Sequence, residues 1–258
     1  ESGLTNSTTA TITIEDTTPP SIDMAAEDET VECDGAGNTA ALNAWLSSNG
    51  GAMASDICAG VTWSNDFAGL SDDCGMTGSA TVTFTATDEC GLTNSTTATF
   101  TIEDTTPPNI DMEAEDETVE CDGAGNTAAL NAWLSSHGGA MASDICAGVT
   151  WSNDFAGLSD DCGMTGSATV TFTATDECGL TNSTTATFTI EDTTPPSIDM
   201  EAEDETVECD GDGNQAALAA WLSSNGGAMA SDICAGVTWS NDFAGLSDDC
   251  GMTGSATV

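Results

Sequence analysis

The feature that most constrains the fold is a repeat of 88 residues, which relates glycines 3, 91 and 179 and tryptophans 45, 133 and 221. The stretch IEDTTPP recurs with the same spacing at residues 14–20, 102–108 and 190–196. A fixed period of this kind is the signature of structural units in tandem. Each prediction made for one repeat therefore applies to its copies.

The repeat boundaries are placed at DTTPP, because consecutive prolines cannot donate hydrogen bonds to a sheet and hold the backbone extended. Residues 1–16 then match the last strand of a preceding repeat, and head-to-tail continuity is predicted to supply the strand missing after Val258. The Pro pair is predicted to act as a short, stiff hinge. The remaining chain divides into repeat 1 (17–104), repeat 2 (105–192) and a truncated repeat 3 (193–258).

Alternating apolar and polar residues predict that each repeat is mainly β. In residues 80–88 and 95–104 apolar side chains alternate with threonine, which is typical of strands with one buried face and one exposed face. The loop between these two strands is predicted to be a hairpin loop. Residues 29–33 and 61–63 are predicted to be further strands.

One segment of each repeat has helical periodicity instead. Leu42, Trp45 and Leu46 are spaced as on one helix face, after a candidate N-cap at residue 38 or 39 and before two glycines. The predicted fold class is a tandem array of immunoglobulin-like β-sandwiches of 88 residues, each with one short inserted helix and two disulfides. Trp63 is the candidate for the tryptophan that such sandwiches bury.

Three segments of the repeat carry a family resemblance. The DTTPP junction, the VTFTATDECG hairpin and the VECDGAGNTAALNAWL insertion resemble the HYR and related immunoglobulin-like repeats of large secreted or surface proteins of Bacteroidota. The resemblance covers the whole chain. It implies a stalk, adhesin shaft or filament outside the cell, and it offers no catalytic residues.

The charge balance excludes several classes of function. The chain has 44 acidic residues, no lysine and no arginine. Binding to nucleic acid or to an anionic membrane surface requires those missing cations, and no apolar stretch approaches the roughly 20 residues that span a bilayer. We also predict that the chain is not an enzyme. A catalytic site needs an asymmetric set of base, nucleophile and stabilising donor, whereas this chain repeats one unit and has no lysine or arginine.

Eleven cysteines beside a single histidine predict disulfides, and therefore an extracellular or cell-surface location. Repeats 1 and 2 have four cysteines each, which allow three connectivities within a repeat, and repeat 3 has three cysteines. In an immunoglobulin-like sandwich, the strand that ends at Cys33 is expected to run toward the hairpin loop of Cys90, so these two are predicted to pair and to leave Cys58 for Cys74. The equivalent predicted pairs are Cys121–Cys178, Cys146–Cys162 and Cys234–Cys250.

Acidic residues at the junctions predict calcium sites. Carboxylate oxygens suit Ca²⁺, which takes six to eight oxygen ligands and would relieve the repulsion among clustered acids. The alternative is a solvated, solubilising acidic surface. The predicted ligands are Glu103, Asp104, Asp176 and Glu177, with the equivalent set Glu15, Asp16, Asp88 and Glu89 one repeat earlier.

The loop DGDGN is a second metal candidate. Asp210, Asp212 and Asn214 have the alternate spacing with which calcium loops begin, although the distal Glu of an EF-hand is missing. The alternative is a Gly-rich turn that leads into the helix. Asp56, Asp72 and Asp73 are further candidates that could join a site.

The predicted function is an extracellular structural repeat array, with neighbouring repeats or head-to-tail copies as partners. The alternative is an adhesive module for glycans or another cell surface, since rows of threonine on the strands could form a binding face; threonine is also common at exposed strand positions. Short motifs predict glycosylation at Asn94, Asn182, Thr17, Thr105 and Thr193.

Overall fold

The computed structural model describes residues 2–58, 60–247, 249, 251 and 253–258. The chain forms two compact units. Unit 1 comprises Glu1–Asn109, Ala142–Thr150 and Ala174–Asn182, and unit 2 comprises Ile110–Met141, Trp151–Thr173 and Ser183–Val258. These units are defined by contacts rather than by the sequence period, so the predicted repeat boundaries stay a prediction.

The secondary structure confirms a mainly β fold with one short helix per repeat. Repeat 1 contains β1 (Ser21–Met24), β2 (Glu29–Glu32), α1 (Thr39–Ser47), β3 (Met53–Ser55), β4 (Thr62–Asn65), β5 (Gly78–Thr87) and β6 (Thr93–Glu103). Repeat 2 contains β7 (Asn109–Met112), β8 (Glu117–Glu120), α2 (Thr127–Ser135), β9 (Met141–Ser143), β10 (Thr150–Asn153), β11 (Gly166–Thr175) and β12 (Thr181–Glu191). Repeat 3 contains β13 (Ser197–Met200), α3 (Gln215–Ser223) and β14 (Met229–Ser231). Among the described residues, no helix has the length and apolar character needed to cross a membrane.

The main sheet of repeat 1 has the strand order β2-β6-β5-β4, and β1 pairs with β3 in a separate two-stranded sheet. The strands β5 and β6 are antiparallel, with Gly78 opposite Ile102 and Thr87 opposite Thr93. The strand β2 lies on the other side of β6 and runs parallel to it. The order β4-β5-β6 is that of the C-F-G sheet of an immunoglobulin domain, and the equivalent sheet of repeat 2 has the order β8-β12-β11-β10.

The core of repeat 1 lies between helix α1 and the inner face of this sheet. Phe84 and Phe100 are fully buried there because they occupy the apolar positions of the alternating pattern. Trp45 packs its ring against both, with ring centroids 5.1 Å and 5.5 Å away, and its indole N–H donates to the carbonyl of Glu27. The prediction that Trp63 is the buried tryptophan is wrong: Trp63 is only half-buried on the outer strand β4, and the helix supplies the buried ring instead.

Two stretches with strand sequences form no strand. Residues 3–16 match 91–104 at all positions but one, yet residues 2–20 have no regular secondary structure. In repeat 3, residues 205–208 match β2 and are also not a strand. The reason is that β6 is held by ladders to both β2 and β5, so the same sequence without those neighbours has no hydrogen-bond partners for its backbone.

Candidate metal centre

The disulfides join consecutive repeats rather than closing loops within one repeat. The structure pairs Cys33 with Cys146, Cys74 with Cys178, and Cys121 with Cys234. The predicted pairs Cys33–Cys90, Cys58–Cys74, Cys121–Cys178 and Cys146–Cys162 are therefore wrong, and so is Cys234–Cys250, since Cys234 bonds to Cys121. Cys250 itself lies outside the described residues. Cys58, Cys90 and Cys162 are exposed and form no disulfide.

The parallel pairing of β2 with β6 explains this correction. The backbone N–H of Cys33, just after β2, donates to the carbonyl of Glu103 at the far end of β6. The hairpin loop with Cys90 precedes β6, which is 11 residues long. Since a strand rises about 3.3 Å per residue, Cys33 and Cys90 lie at opposite ends of the sheet.

Each repeat therefore has a head end and a tail end. The head end of repeat 1 consists of the loop before β4, which contains Cys58, and the loop before β6, which contains Cys90. The tail end consists of the loop after β2, which contains Cys33, and the loop before β5, which contains Cys74. In unit 1 the tail end of repeat 1 is linked by two disulfides to the head-end loops of repeat 2, which are Ala142–Thr150 and Ala174–Asn182.

Two glycines of the tail end allow this close contact. Gly35 and Gly75 both have positive φ, and a Cβ atom there would lie 2.5 Å from the carbonyl oxygen of Ile145 and 2.7 Å from that of Cys146, respectively. The backbone N–H of Met76 donates to the same Cys146 carbonyl at 3.0 Å. Only residues without a side chain fit against this backbone.

We expect Gly35→Ala to destabilise unit 1 more than Gly37→Ala. Both glycines have positive φ, +71° and +75°, but a Cβ at Gly37 would have no atom within 4 Å. The conformational cost of alanine at positive φ is about 1 to 2 kcal/mol at either position, and the overlap with Ile145 should at least double it at Gly35. Urea unfolding of the two variants measures the difference, and equal losses would show that the contact contributes nothing.

The threonines of DTTPP are held by a glutamate at the end of β2. Glu32 accepts hydrogen bonds from the backbone N–H of Thr105 (2.9 Å), the hydroxyl of Thr105 (2.8 Å) and the hydroxyl of Thr106 (2.9 Å). The bond from the Thr105 N–H is the main reason that the pKa of Glu32 is lowered. Glu120 binds the threonines of the next junction in the same way.

The second proline of each of the first two junctions is also fixed in place. Pro108 is fully buried, and its carbonyl accepts a hydrogen bond from the side-chain amide of Asn182 at 3.0 Å. Pro20 and Asn94 make the equivalent contact one repeat earlier. The junction is thus packed and hydrogen-bonded at its second proline, and its role as a stiff hinge stays a prediction.

We predict that Glu32→Gln lowers the thermal stability of unit 1 above the ordinary pKa of glutamate, about 4.3. A lowered folded-state pKa adds stability at higher pH, and this stability disappears as the pH falls through the folded value. The variant should therefore differ from the wild type at neutral pH and converge with it in acid. Melting temperatures across a pH series test this, with the exposed Glu89→Gln as control; a constant difference at all pH values would contradict it.

A triad of aspartates lies beside this junction in unit 1. Asp104 follows β6 as the first residue of DTTPP, Asp144 follows β9, and Asp176 lies in the hairpin loop after β11. One oxygen of each carboxylate accepts a backbone N–H: Asp104 that of residue 106 (3.1 Å), Asp144 that of residue 146 (2.7 Å) and Asp176 that of residue 180 (2.9 Å). These bonds fix each side chain and leave its second oxygen available.

The second oxygens of two of these carboxylates are buried. The Oδ2 atoms of Asp104 and Asp176 are shielded from solvent and accept no hydrogen bond within the described part of the chain. Asp176 as a whole is only 5% exposed. An unsatisfied buried carboxylate oxygen is costly, so this arrangement fits a bound cation better than a solvated acidic surface.

The charges of the triad act on one another. Ligand atoms of Asp104, Asp144 and Cys146 all lie within 4.8 Å of each other, whereas Asp176 is assigned to the triad because its charge acts on Asp104. Burial raises the pKa of Asp104, and the charges of Asp144, Asp176 and Glu32 raise it further. Because the sulfur of Cys146 is bonded to Cys33, it offers no thiolate, and the donors that remain are carboxylate oxygens.

The equivalent triad one repeat earlier is Asp16, Asp56 and Asp88. The Oδ2 atoms of Asp16 and Asp88 are likewise buried without a hydrogen bond among the described residues, and Asp88 is 6% exposed. Burial raises the pKa of the Cys90 thiol, and the charges of Asp16, Asp88 and Asp56 raise it further. Asp192 and Asp232 form a third cluster with Cys234 in unit 2.

Four members of these two triads were predicted as metal ligands from the sequence, and the third position of each triad was not. Asp16, Asp88, Asp104 and Asp176 were predicted ligands, whereas Asp56 was only a possible addition and its copies at 144 and 232 were not singled out. The signal that would have found them is the tetrapeptide SDIC, whose aspartate follows each junction aspartate by a constant 40 residues. The other acids that were predicted or considered as ligands are neither in these groups of neighbouring ligand atoms nor among the described side chains with a buried carboxylate oxygen that accepts no hydrogen bond: Glu15, Glu89, Glu103, Glu177, Asp72 and Asp73.

The DGDGN loop uses its polar atoms within itself. One oxygen of Asp210 accepts the backbone N–H groups of Asp212 (2.7 Å) and Asn214 (3.0 Å), and the side-chain oxygen of Asn214 accepts that of Asp210 (3.2 Å). Asn214 has left-handed backbone geometry directly before α3. These contacts correspond to the alternative interpretation, a turn that leads into the helix.

The predicted glycosylation sites include side chains that already have structural partners. Asn94 and Asn182 donate to proline carbonyls, and the hydroxyls of Thr105 and Thr193 donate to glutamates. Glycosylation at these residues and at Thr17 stays a prediction.

No family model matches the chain, and no curated protein sequence matches it. Among solved structures it is similar to Drosophila N-cadherin EC1-4 (10% identity, TM-score 0.28, covering 68% of this chain and 50% of that one). It is also similar to the extracellular domain of protocadherin GammaB4 (12%, 0.30, 87% and 39%) and to an I-band fragment of titin (12%, 0.27, 72% and 70%). The chain thus spans half of the N-cadherin fragment.

Proposed function

We propose that this chain is a structural repeat array outside the cell, a stalk, adhesin shaft or filament, whose joints are fixed by disulfides and by calcium. The observation that carries the proposal is the aspartate triad at the junction, with its buried and unsatisfied oxygens. Disulfides between consecutive repeats support the same role, because they resist separation of the repeats. They also favour an oxidising, extracellular compartment.

Calcium fits the donor set of the triad. Ca²⁺ binds six to eight oxygen atoms from carboxylates, carbonyls and water. Asp104, Asp144 and Asp176 would hold it, together with backbone carbonyls or water, while sulfur ligands would favour a softer metal. When bound, the ion supplies positive charge to a chain that has 44 acidic residues and no lysine or arginine.

The origin of the three carboxylates explains how an ion would stiffen the joint. Asp104 belongs to the junction segment, whereas Asp144 and Asp176 belong to the head-end loops of repeat 2. One ion bound to all three would fix the junction against those loops. The Glu32 contacts to Thr105 and Thr106 hold the following residues of the same segment, so DTTPP would be constrained along its whole length.

Small-angle scattering of the oxidised chain with calcium and with a chelator tests this function. We expect a stiff particle in calcium and a broader distribution of conformations after chelation, with the disulfides intact in both. Identical scattering profiles under the two conditions would remove calcium from the proposal. A chain that stays flexible in calcium would overturn the role as a shaft.

A further inference from the structure

Each head-end loop of repeat 2 carries a triad aspartate and a disulfide cysteine two residues later: Asp144 with Cys146, and Asp176 with Cys178. One oxygen of Asp144 accepts the backbone N–H of Cys146 at 2.7 Å. In the other loop, one oxygen of Asp176 accepts the N–H of Leu180 at 2.9 Å and so closes the turn that contains Cys178. An ion that fixes the two carboxylates therefore also fixes the two cysteines.

Repeat 1 has the same association of a cysteine with the remaining carboxylate. The backbone N–H of Cys33 donates to the carbonyl of Glu103 at 2.8 Å, and Asp104 is the next residue. Ligand atoms of Asp104, Asp144 and Cys146 lie within 4.8 Å of one another. A disulfide between the two cysteines and an ion bound by the two aspartates would therefore join the same two segments of backbone.

The charges of the triad oppose the approach of these segments when no cation is bound. Asp104 belongs to repeat 1, whereas Asp144 and Asp176 belong to repeat 2, and like charges repel most strongly at short distance. The chain has no lysine or arginine that could neutralise them. Calcium would replace this repulsion with shared ligation and bring the two repeats together.

Pairs of cysteines at the same end of one repeat compete with the disulfides of the structure. Cys33 and Cys74 both lie at the tail end of repeat 1, and the sulfur of Cys33 is 4.0 Å from the carbonyl oxygen of Met76, two residues after Cys74. Cys146 and Cys178 both lie at the head end of repeat 2. Four cysteines allow three connectivities, so the two repeats must meet before oxidation if the pairing of the structure is to form.

On the basis of the calcium site proposed above, we infer that the bound ion directs disulfide formation in unit 1 toward Cys33 with Cys146 and Cys74 with Cys178, and away from pairs within one repeat. In forming each bond, two thiols lose two electrons and two protons. A small-molecule disulfide such as oxidised glutathione accepts them and becomes two thiols. The ion takes no part in the electron transfer and acts by holding the thiols close together.

Linkage also requires the converse effect in the oxidised chain. If calcium favours these disulfides, they favour calcium binding by the same factor, which is typically about 5- to 150-fold for coupled sites. Removing one disulfide with Cys74→Ser and Cys178→Ser should therefore weaken calcium binding at the triad by about tenfold in calorimetry. Cys162→Ser removes an exposed thiol that forms no disulfide and should bind calcium like the wild type.

Oxidative refolding of a full-length variant that keeps only the four cysteines of these two disulfides tests the pairing. Cleavage before aspartate places each of the four in a peptide of its own, so mass spectrometry distinguishes all three connectivities. After oxidation by glutathione, we expect calcium to raise the ratio of the pairing of the structure to the pairing within repeats by about tenfold over chelator. Adding Asp176→Asn should abolish this rise, and adding Asp160→Asn, at an exposed aspartate, should preserve it.

Two results would overturn the inference, and they differ in what else they affect. An oxidised wild-type chain that retains no calcium would remove the proposed function as well. If the wild type binds calcium but the four-cysteine variant gives the same ratio of pairings in calcium and in chelator, only the role of calcium in disulfide formation fails.

Discussion

Asp176→Asn is expected to have opposite effects on stability with and without calcium. In calcium the variant loses a ligand, and the protein loses the free energy of binding at that site, about 3 kcal/mol when calcium is a hundredfold above its dissociation constant. In chelator the variant should be more stable than the wild type, because it removes a buried, unpaired charge next to Asp104 and Asp144. The asparagine oxygen can still accept the Leu180 N–H that holds the hairpin loop.

Thermal unfolding in calcium and in chelator measures this crossing. The control is Asp160→Asn, an exposed aspartate of the same repeat that lies outside the triads, and it should shift neither melting temperature. A variant that is destabilised equally under both conditions would show that Asp176 acts through its hydrogen bond alone. Asp176 would then not be a metal ligand, and the triad would not be a metal centre.

The double replacement Cys121→Ser and Cys234→Ser is expected to destabilise unit 2 by about 4 to 5 kcal/mol. The disulfide closes a loop with a sequence separation of 113 residues, and the chain-entropy effect of a loop this long is near the upper end of the usual range. Removing both sulfurs avoids leaving a new thiol. Urea unfolding of the oxidised proteins gives the loss.

Cys162→Ser is the matched comparison for that variant. Cys162 is exposed and forms no disulfide in the structure, so its replacement should change the free energy of unfolding by less than about 0.5 kcal/mol. If the disulfides were closed within each repeat, Cys162 would bond to Cys146, and its loss would be as costly as that of the double variant. Peptide mapping of the oxidised wild type should find Cys121 linked to Cys234.

Local patterns predicted the strands and the helix because those signals are contained within short stretches of sequence. The alternation in 80–88 and 95–104 appears as β5 and β6, and the spacing of Leu42, Trp45 and Leu46 appears as α1. The short strands β1 and β3 were missed, since three or four residues give too little periodicity to recognise. Trp63 was chosen over Trp45 because immunoglobulin domains bury a tryptophan that belongs to a strand, whereas here the buried ring belongs to the helix.

The disulfides could not be predicted because they depend on strand direction and on contacts between repeats. The sequence of β2 does not reveal whether it pairs parallel or antiparallel with β6, and this direction decides which end of the sheet holds Cys33. A residue in repeat 1 and its equivalent in repeat 2 also have the same local sequence. Nothing in that sequence distinguishes a bond within a repeat from a bond to the next one.

The metal centre was partly predictable for a related reason. Asp104 lies in a conspicuous junction motif and Asp176 in a recognisable hairpin loop, so both attracted attention. Asp144 lies in an ordinary loop after a three-residue strand, and only the fold brings it beside Asp104. Ligands contributed by separate loops generally become visible only when the topology is known.

The calcium content of the purified, oxidised chain is the measurement that tests the central claim most directly. After gel filtration in calcium, mass spectrometry of the metal should find one ion for each complete triad, Asp16 with Asp56 and Asp88, and Asp104 with Asp144 and Asp176. Asp176→Asn should lose one of these ions, and Asp160→Asn should lose none. A wild-type chain that retains no calcium, or equal metal contents in the two variants, would contradict the account.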